Sequence, residues 1–419
     1  MSGRSPLLSK STSSDPDELT AADFKALEHY KYSGTDFSLC SKYFMQRYWT
    51  AVSECVPKTI APNALTLTGF IVSTSTSVIL AYFALAGLPF PNWVWAYAAV
   101  SLFTYQTLDA IDGKQARRTG CGSPLGELFD HGCDALFTPL INLTSCIALG
   151  FTATETFFYC MAVNSALFFS LFEQFSTGTL DLGYLNAPVD GILLSCGVLF
   201  WTAFAGPQWW ATPFAAGPLV NLGAITIPVI GTTVNVSFFT KANELLFAVG
   251  ILGSFFTSLG NVAHAWTMPL AHARVNRVAT LLPQTILGAS IIALGWYAPA
   301  LATGPYAFAV ELAYGWLVSF TVTRMTVARL CRRPYDPLTI PFRATLFATL
   351  LTGMYAVAAR VTGGEPNAAL LGAPFALCVF VTLLCYARMA WKVFRRLARH
   401  LGINILTMTE AQLARNRAK

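Results

Sequence analysis

Long apolar stretches alternate with short polar ones over most of this chain. Each stretch has about 20 residues, the length that an α-helix needs to cross the hydrocarbon core of a bilayer. The segments lie at about 64–86, 93–111, 124–149, 155–175, 188–206, 242–263, 280–299, 306–325, 344–362 and 368–391. The pattern therefore predicts an all-α, polytopic membrane protein with about ten transmembrane helices.

The positions of the basic residues support this arrangement. If the N-terminus is cytosolic and the ten spans alternate in direction, all of the 27 Lys and Arg residues except Lys241 and Arg360 fall on the cytosolic side. Membrane proteins concentrate Lys and Arg in their cytosolic loops, and an incorrect number of spans would mix the two sides. The charge pattern therefore predicts that both termini are cytosolic.

The composition excludes several classes of protein. The chain is 54% hydrophobic and only 11% charged, whereas a soluble domain carries about 25% charged residues. Its net charge of +6 would suit a nucleic-acid partner, but the retention of basic residues in cytosolic loops explains it. Most of the ten cysteines lie within apolar stretches and none belongs to a CxxC pair. We therefore expect no nucleic-acid partner, no disulfide framework and no zinc site.

The chain divides into four parts. Residues 1–35 are polar and contain no signal peptide, which predicts a disordered cytosolic tail. Residues 36–60 mix aromatic and basic side chains, which favours an amphipathic helix on the membrane surface over an ordinary solvated helix. Residues 61–395 form the transmembrane domain, and residues 396–419 form a cytosolic C-terminal tail.

Acidic residues cluster where the second apolar segment ends and the third begins. Asp109 and Asp112 are three residues apart, and Asp130 and Asp134 are four apart, so each pair shares one face of its helix. Two antiparallel helices joined by a short turn would point the pairs at each other. Four carboxylates in one pocket repel unless cations or protons neutralise them. Acids in a solvated loop are the alternative, although Asp109 and Asp134 adjoin apolar stretches.

Oxygen ligands of this kind favour hard divalent ions. Mg²⁺ and Mn²⁺ both suit carboxylates, and ligand type does not separate them. Four carboxylates suffice for two ions about 3.5–4 Å apart, the arrangement that supports phosphoryl chemistry. The spacing therefore predicts a site for two Mg²⁺ (or Mn²⁺) ions.

Two residues beside the acids suit a phosphate-containing ligand, and a nearby glycine suits close helix packing. Gly113 has no side chain, so a phosphate group can approach the backbone there. Arg117 can donate two N–H groups to a diphosphate, or it can anchor the chain at the membrane surface, a role that suits Arg118 better. Gly126 allows the two helices to pack closely.

Glu127 and His131 are a candidate pair for proton transfer. They lie four residues apart, so the carboxylate of Glu127 can orient the imidazole of His131. An imidazole can act as a general base near neutral pH. Asp134 is the alternative base if metal does not fully engage it.

These residues carry a resemblance to a known family. The pattern D-x-x-D-G-x-x-A-R-x8-G-x3-D-x3-D, which runs from Asp109 to Asp134 without departures, resembles the signature of the CDP-alcohol phosphotransferases. The stretches ECVPKTIAPNALTLTG (54–69) and SPLGELFDHGCDA (123–135) are similar to the eukaryotic choline/ethanolamine phosphotransferase branch. The stretch PVDG (188–191) is also similar to that branch, which often has Glu at the position of Asp190. The similarity covers about residues 30–405 and weakens in the later spans.

The resemblance implies a reaction and a place for it. Members of this branch transfer phosphocholine or phosphoethanolamine from CDP-choline or CDP-ethanolamine to diacylglycerol, which gives phosphatidylcholine or phosphatidylethanolamine and CMP. They act at the cytosolic face of the endoplasmic reticulum or Golgi membrane, and they are often homodimers. The sequence leaves the choice between choline and ethanolamine open.

The resemblance also implies roles for single residues. His131, held by Glu127, would deprotonate the acceptor hydroxyl, and Asn63 would contact the nucleotide. The remaining CDP-site residues would be Gly113, Arg117, Gly126 and Glu127. The metal ligands would be Asp109, Asp112, Asp130 and Asp134.

Two other functions fit the sequence less well. Enzymes of the same signature that join CDP-diacylglycerol to a soluble alcohol are shorter, and the ten spans and the DHGCDA stretch argue against them. A transporter would place its site near the middle of the bilayer, within internal repeats. Here the acids lie at one end of the spans, without a second copy.

Overall fold

The computed structural model describes residues 17–28, 30, 33–183, 186–227, 232–304 and 306–417, with the backbone alone for residues 222–237 and 417. The helices are α1 (Ala21–Leu27), α2 (Gln46–Cys55), α3 (Pro62–Leu85), α4 (Asn92–Thr119), α5 (Pro124–Ala148), α6 (Ala153–Thr177), α7 (Ile192–Ala205), α8 (Ala242–Thr267), α9 (Arg277–Tyr297), α10 (Ala300–Thr303), α11 (Ala307–Leu330), α12 (Ile340–Val361), α13 (Ala368–Leu401) and α14 (Glu410–Arg417). Within the described residues, one long helix stands at each of the ten predicted spans.

Seven of the long helices are apolar and long enough to cross a membrane by length and composition. They are α3, α6, α7 with the turn before it, α8, α9, α12 and α13. The remaining long helices, α4, α5 and α11, carry ionisable residues, among them Asp109, Glu127 and Arg329. The expectation of an all-α, polytopic membrane protein is thus confirmed, and the count of ten spans stays a prediction.

Two small sheets accompany the helices. β1 (Gly34–Asp36) pairs in parallel with β2 (Leu180–Leu182), which follows α6. β3 (Val220–Ile227) and β4 (Thr232–Phe238) form an antiparallel pair in the loop between α7 and α8. The first sheet ties the segment between α1 and α2 to the end of α6.

α5 lies between two groups of helices. On one side, α11 packs against α6, α12 and α13, and most of its side chains are buried. On the other side, α3, α4 and α7 pack around Trp95 and Tyr105. α5 contacts α3 and α7 in one group and α6 and α11 in the other. Side chains on α5 can therefore meet residues from both halves of the bundle.

The segment before α3 has two faces. A π-helical turn, Ser41–Met45, runs directly into α2. Trp49 and Met45 are buried against α3 and α4, whereas Tyr43 and Phe44 are exposed. An aromatic face opposite a packed face is typical of a helix at the membrane surface. The interfacial position of residues 36–60 stays a prediction.

α1 falls within the stretch for which the sequence predicts disorder. Thr20 caps α1 through reciprocal hydrogen bonds with Asp23. Just before it, Asp17 pairs with Arg324 of α11 at 2.8 Å and Glu18 pairs with Arg396 of α13 at 2.6 Å. Leu19 and Leu27 are buried in a cluster with side chains of α5, α11 and α13. Capping, ion pairs and this apolar packing together hold the segment. Residues 1–16, 29, 31 and 32 of the expected tail lie outside the described residues.

Candidate functional site

A tight turn joins the two helices that carry the acids. α4 ends at Thr119, and Gly120 follows in the left-handed conformation (φ +63°), where glycine is unstrained. Ser123 then caps α5, because its Oγ accepts from Gly126 N at 3.1 Å, and Pro124 occupies the first helical position. The glycine that ends α4 and the serine that caps α5 lie within four residues. Together they reverse the direction of the chain and set α5 beside the end of α4.

Three of the predicted metal ligands meet at this end of the bundle. One carboxylate oxygen from each of Asp109, Asp112 and Asp130 lies within 4.8 Å of the other two. Asp109 Oδ1 and Asp130 Oδ1 are buried without a hydrogen-bond partner among the described residues. A buried oxygen without a partner is costly unless a cation or a proton compensates it. The three side chains therefore fit a divalent metal ion.

Hydroxyl groups from neighbouring helices hold two other carboxylate oxygens of the predicted ligands. Thr66 of α3 donates to Asp112 Oδ2, and the buried Tyr105 of α4 donates to Asp134 Oδ1. Asp134 lies one turn beyond Asp130 on α5 and does not belong to the group of three. The structure thus brings together three of the four predicted ligands and gives the fourth a tyrosine partner.

Close packing of α3 against α4 places Thr66 beside Asp112. A Cβ at Gly69 would lie 3.2 Å from Tyr105 Cα and 3.3 Å from Leu108 Cβ, which is closer than most side chains tolerate. Glycine therefore allows the two helices to approach at this level, one turn from Thr66. The approach also brings α3 within reach of α5, which it contacts.

Asn63 and Gly126 are neighbours across the start of α3 and α5. A Cβ at Gly126 would lie 3.6 Å from Asn63 Oδ1. Asn63 Nδ2 donates to the carbonyl of Ile405, in the chain segment after α13, at 2.9 Å. Two residues that the sequence predicts to bind the nucleotide thus lie side by side, next to the C-terminal segment.

The two arginines at the end of α4 differ in their contacts. Arg118 donates to the carbonyls of Ser53 and Val56 at the end of α2, and to Gln115. Arg117 is exposed, and its guanidinium lies 3.7 Å from the place of a Cβ on Gly113. Arg118 therefore anchors α4 to α2, and Arg117 stands at the surface beside the glycine.

Glu127 pairs with a residue that the sequence analysis did not select. It forms a buried ion pair with Arg329 of α11, and Gln174 of α6 donates to the same oxygen at 3.4 Å. The expected hydrogen bond between Glu127 and His131 is absent from the described contacts. Glu127 Oε2 and His131 Nδ1 are both buried and have no partner among the described residues. Each of these atoms can therefore make one further hydrogen bond.

Sequence reasoning missed four polar residues of the site, namely Thr66, Tyr105, Gln174 and Arg329. The sequence could have identified Tyr105, because it lies four residues before Asp109 on the same helix face. The sequence points to Arg329 less clearly, because a basic residue at the end of an apolar helix resembles an ordinary membrane anchor. No feature of the sequence points to Gln174.

A second group of possible ligands lies at the end of α6. Oxygen or nitrogen atoms of Glu173, Asp181 and His264 lie within 4.8 Å of one another. His264 Nδ1 is 2.6 Å from Glu173 Oε1, and Thr179 donates to Asp181 at 3.3 Å. Because these side chains already have protein partners, we assign them a hydrogen-bonded network and no ion.

Known proteins resemble the chain over most of its length. Residues 59–182 match the CDP-alcohol phosphatidyltransferase family. Choline/ethanolaminephosphotransferase 2 of Arabidopsis thaliana is 33% identical over 92% of this chain and 97% of its own length. Choline/ethanolaminephosphotransferase 1 of the same plant is 31% identical over the same shares. Cholinephosphotransferase 1 of Danio rerio is 38% identical over 52% of this chain and 56% of its own.

The matched region begins just before α3 and ends at β2, so it contains α4, α5 and the turn between them. The three clustered aspartates lie within it. The likeness to the plant proteins extends well beyond this region, over nearly the whole of both chains. The chain belongs to the CDP-alcohol phosphatidyltransferase family.

Proposed function

We propose that this protein transfers phosphocholine or phosphoethanolamine from CDP-choline or CDP-ethanolamine to diacylglycerol. The products are phosphatidylcholine or phosphatidylethanolamine, and CMP. One observation carries the proposal: three aspartates, two of them with a buried oxygen that has no partner among the described residues, meet at one end of the bundle. The chain is also similar along its length to choline/ethanolaminephosphotransferases.

The aspartates would hold the metal that this chemistry needs. Asp109, Asp112 and Asp130 supply the clustered oxygens, and Asp134 would contribute to a second ion in an Mg²⁺ (or Mn²⁺) pair. Bound divalent ions neutralise the negative charge of a diphosphate and of the leaving phosphate. Thr66 and Tyr105 orient two of these carboxylates through their hydroxyl groups.

The nucleotide would lie between the start of α3 and the turn after α4. Asn63 and Gly126 face each other there, and we assign them to the cytidine portion. Gly113 leaves room for the diphosphate, and the exposed Arg117 beside it can donate two N–H groups. Glu127 lies one turn before His131 on α5, and we assign it to the same site.

His131 is the base that we assign. Its Nδ1 is buried and has no partner among the described residues, and it lies next to Asp130. The imidazole takes the proton of the diacylglycerol hydroxyl, the oxygen then bonds to the phosphorus that carries the alcohol, and the bond from that phosphorus to CMP breaks. CMP leaves with the electron pair. Asp134 is the alternative base, although Tyr105 already donates to it.

The proposed location follows from the substrates. One substrate is soluble and the other is a lipid, so a site at the membrane surface serves both. We propose that the site faces the cytosol in the endoplasmic reticulum or Golgi membrane, with both termini cytosolic, and that diacylglycerol enters from the bilayer between helices. We also propose that the protein forms a homodimer.

The decisive experiment measures CMP release and lipid formation by purified protein. Diacylglycerol is supplied with CDP-choline or CDP-ethanolamine, with and without Mg²⁺. Metal-dependent turnover would support the proposal, and the ratio of the two rates would identify the preferred head group. Folded protein that turns over neither donor would refute it, and CDP-diacylglycerol with soluble alcohols would be tested next.

A further inference from the structure

Arg329 is a largely buried basic residue that the proposed reaction does not use. It lies near the end of α11, and its side chain is 9% exposed. Its Nη2 donates to Oε1 of Glu127, whose side chain is 3% exposed. The pair joins α5 to α11, which belong to different parts of the chain. Two opposite charges thus meet in a place that water hardly reaches.

Stability alone does not explain such a pair. Burying two charges costs about as much free energy as their attraction returns, and well-packed apolar side chains often serve equally well. α11 is otherwise packed mainly through apolar and hydroxyl side chains. A charged pair in this helix therefore needs a reason other than the stability of the bundle, and its neighbours on α5 supply one.

The ion pair fixes one oxygen of Glu127 and leaves the other available. Oε1 accepts from both Arg329 and Gln174, whereas Oε2 is buried without a partner among the described residues. His131 lies one turn further along the same face of α5, and its Nδ1 is also buried and without a partner there. Contacts from two helices at Oε1 restrict rotation of the carboxylate, so the direction of Oε2 is set.

We propose that Arg329 is a positioning residue that acts through Glu127. By holding Oε1, it presents Oε2 to the imidazole of His131 when substrate closes the site, and so sets the orientation of the base. This inference rests on the proposed function, in which His131 takes the proton of the acceptor. Arg329 itself touches neither substrate nor metal in this assignment.

The test is a double-mutant cycle with four purified proteins: wild type, Glu127→Gln, Arg329→Met and the double variant. CMP release is measured with diacylglycerol and CDP-choline or CDP-ethanolamine. We expect Arg329→Met to lower kcat about tenfold or more, with KM for the CDP-alcohol changed less than about twofold. In the Glu127→Gln background the same substitution should cause almost no further loss. Arg329→Lys, which keeps the charge, should recover part of kcat.

Arg324→Met is the matched control. Arg324 lies on the same helix, has a 12% exposed side chain and pairs with Asp17 at 2.8 Å, away from Glu127. We expect its kcat to equal that of wild type. A merely structural Arg329 would lower the melting temperature and the yield of folded enzyme, without lowering kcat per folded molecule.

Two results would overturn the inference: an unchanged kcat in Arg329→Met, or losses that multiply in the double variant. If Arg329→Met does not fold, the cycle is run with Arg329→Lys and judged in the same way. If wild type instead uses CDP-diacylglycerol and a soluble alcohol, the proposed function fails. The same cycle with that donor then tests Arg329 on its own.

Discussion

At the scale of single residues, helical spacing accounts for the meeting of three of the four predicted acids. Asp109 and Asp112 share a face of α4, and Asp130 follows on α5, so a tight turn is enough to bring their oxygens within 4.8 Å. Spacing could not predict Thr66 or Arg329 as partners, because each comes from a helix whose position depends on packing. A sequence motif predicts which residues carry the chemistry, and the fold determines which residues contact them.

The first prediction concerns the metal ligands. Asp112→Ala removes one of the three clustered carboxylates, so metal-dependent turnover should fall at least about a hundredfold. The protein should still fold, because the substitution also relieves repulsion between acids. CMP release and the melting temperature in detergent measure the two effects.

Glu365→Ala is the control for this variant, since Glu365 is an exposed acid in the loop between α12 and α13. It should retain wild-type activity. Normal turnover by purified Asp112→Ala would contradict the metal assignment.

The second prediction separates catalysis from binding at His131. His131→Ala should lower kcat about a hundredfold to ten-thousandfold, the usual contribution of a general base. Affinity for the CDP-alcohol should remain, because the nucleotide is assigned to Asn63, Gly113 and Arg117. Equilibrium binding of the CDP-alcohol measures the affinity, and single-turnover rates measure the chemical step. A variant that loses affinity while bound substrate still reacts at the normal rate would make His131 a binding residue.

At the scale of helices, hydropathy located the elements better than their ends. α4 continues to Thr119, although the apolar stretch ends at about 111, and α13 continues to Leu401 rather than 391. Hydropathy marks the part of a helix that suits lipid, whereas the helix ends where capping allows. Gly120 and Gly402, both left-handed, supply those ends. α1 was not predicted, because the burial of Leu27 and the ion pairs just before the helix both depend on contacts with helices distant in sequence.

The third prediction concerns the contact between α3 and α4. Gly69→Val places a side chain against the backbone of Tyr105, so the helices must separate and Thr66 must move away from Asp112. We expect a loss of about 1–3 kcal/mol in stability, typical of overpacking, and a lower kcat. Thermal unfolding in detergent measures the loss of stability, and CMP release measures the change in kcat.

Gly353→Val on α12 is the matched control, because a Cβ there meets nothing within 4 Å. The two variants share the same loss of backbone freedom and the same β-branched side chain. Equal melting temperatures for both would show that close approach at Gly69 does not matter.

At the scale of the whole molecule, both ends of the described chain pack near the site. The N-terminal part pairs with α11 and α13 through Asp17 and Glu18. After α13, the chain folds back over the turn between α4 and α5, where Arg415 donates to the carbonyl of Gly120 at 2.7 Å. A stretch expected to be a simple tail thus contacts the turn that borders the proposed nucleotide position.

These contacts give the C-terminal segment a testable role. Ile405 accepts from Asn63 at 2.9 Å, and Asn416 donates to the carbonyl of Lys58, just before α3, at 3.4 Å. Truncation after Gly402 frees the side chain of Asn63 and loosens the turn after α4. We therefore expect KM for the CDP-alcohol to change several-fold while kcat stays within about twofold, since the aspartates and His131 are untouched.

Two point variants identify the cause of that effect. Arg415→Ala removes only the contacts to Thr119 and Gly120, so it should shift KM in the same direction by a smaller amount. Arg395→Ala, which removes an exposed arginine stacked on Trp391, should leave KM unchanged. If truncation lowers kcat and spares KM, the segment supports the catalytic residues rather than the nucleotide. If it raises the affinity for the CDP-alcohol, then Ile405 competes with the nucleotide for Asn63, and the segment must move aside in each turnover.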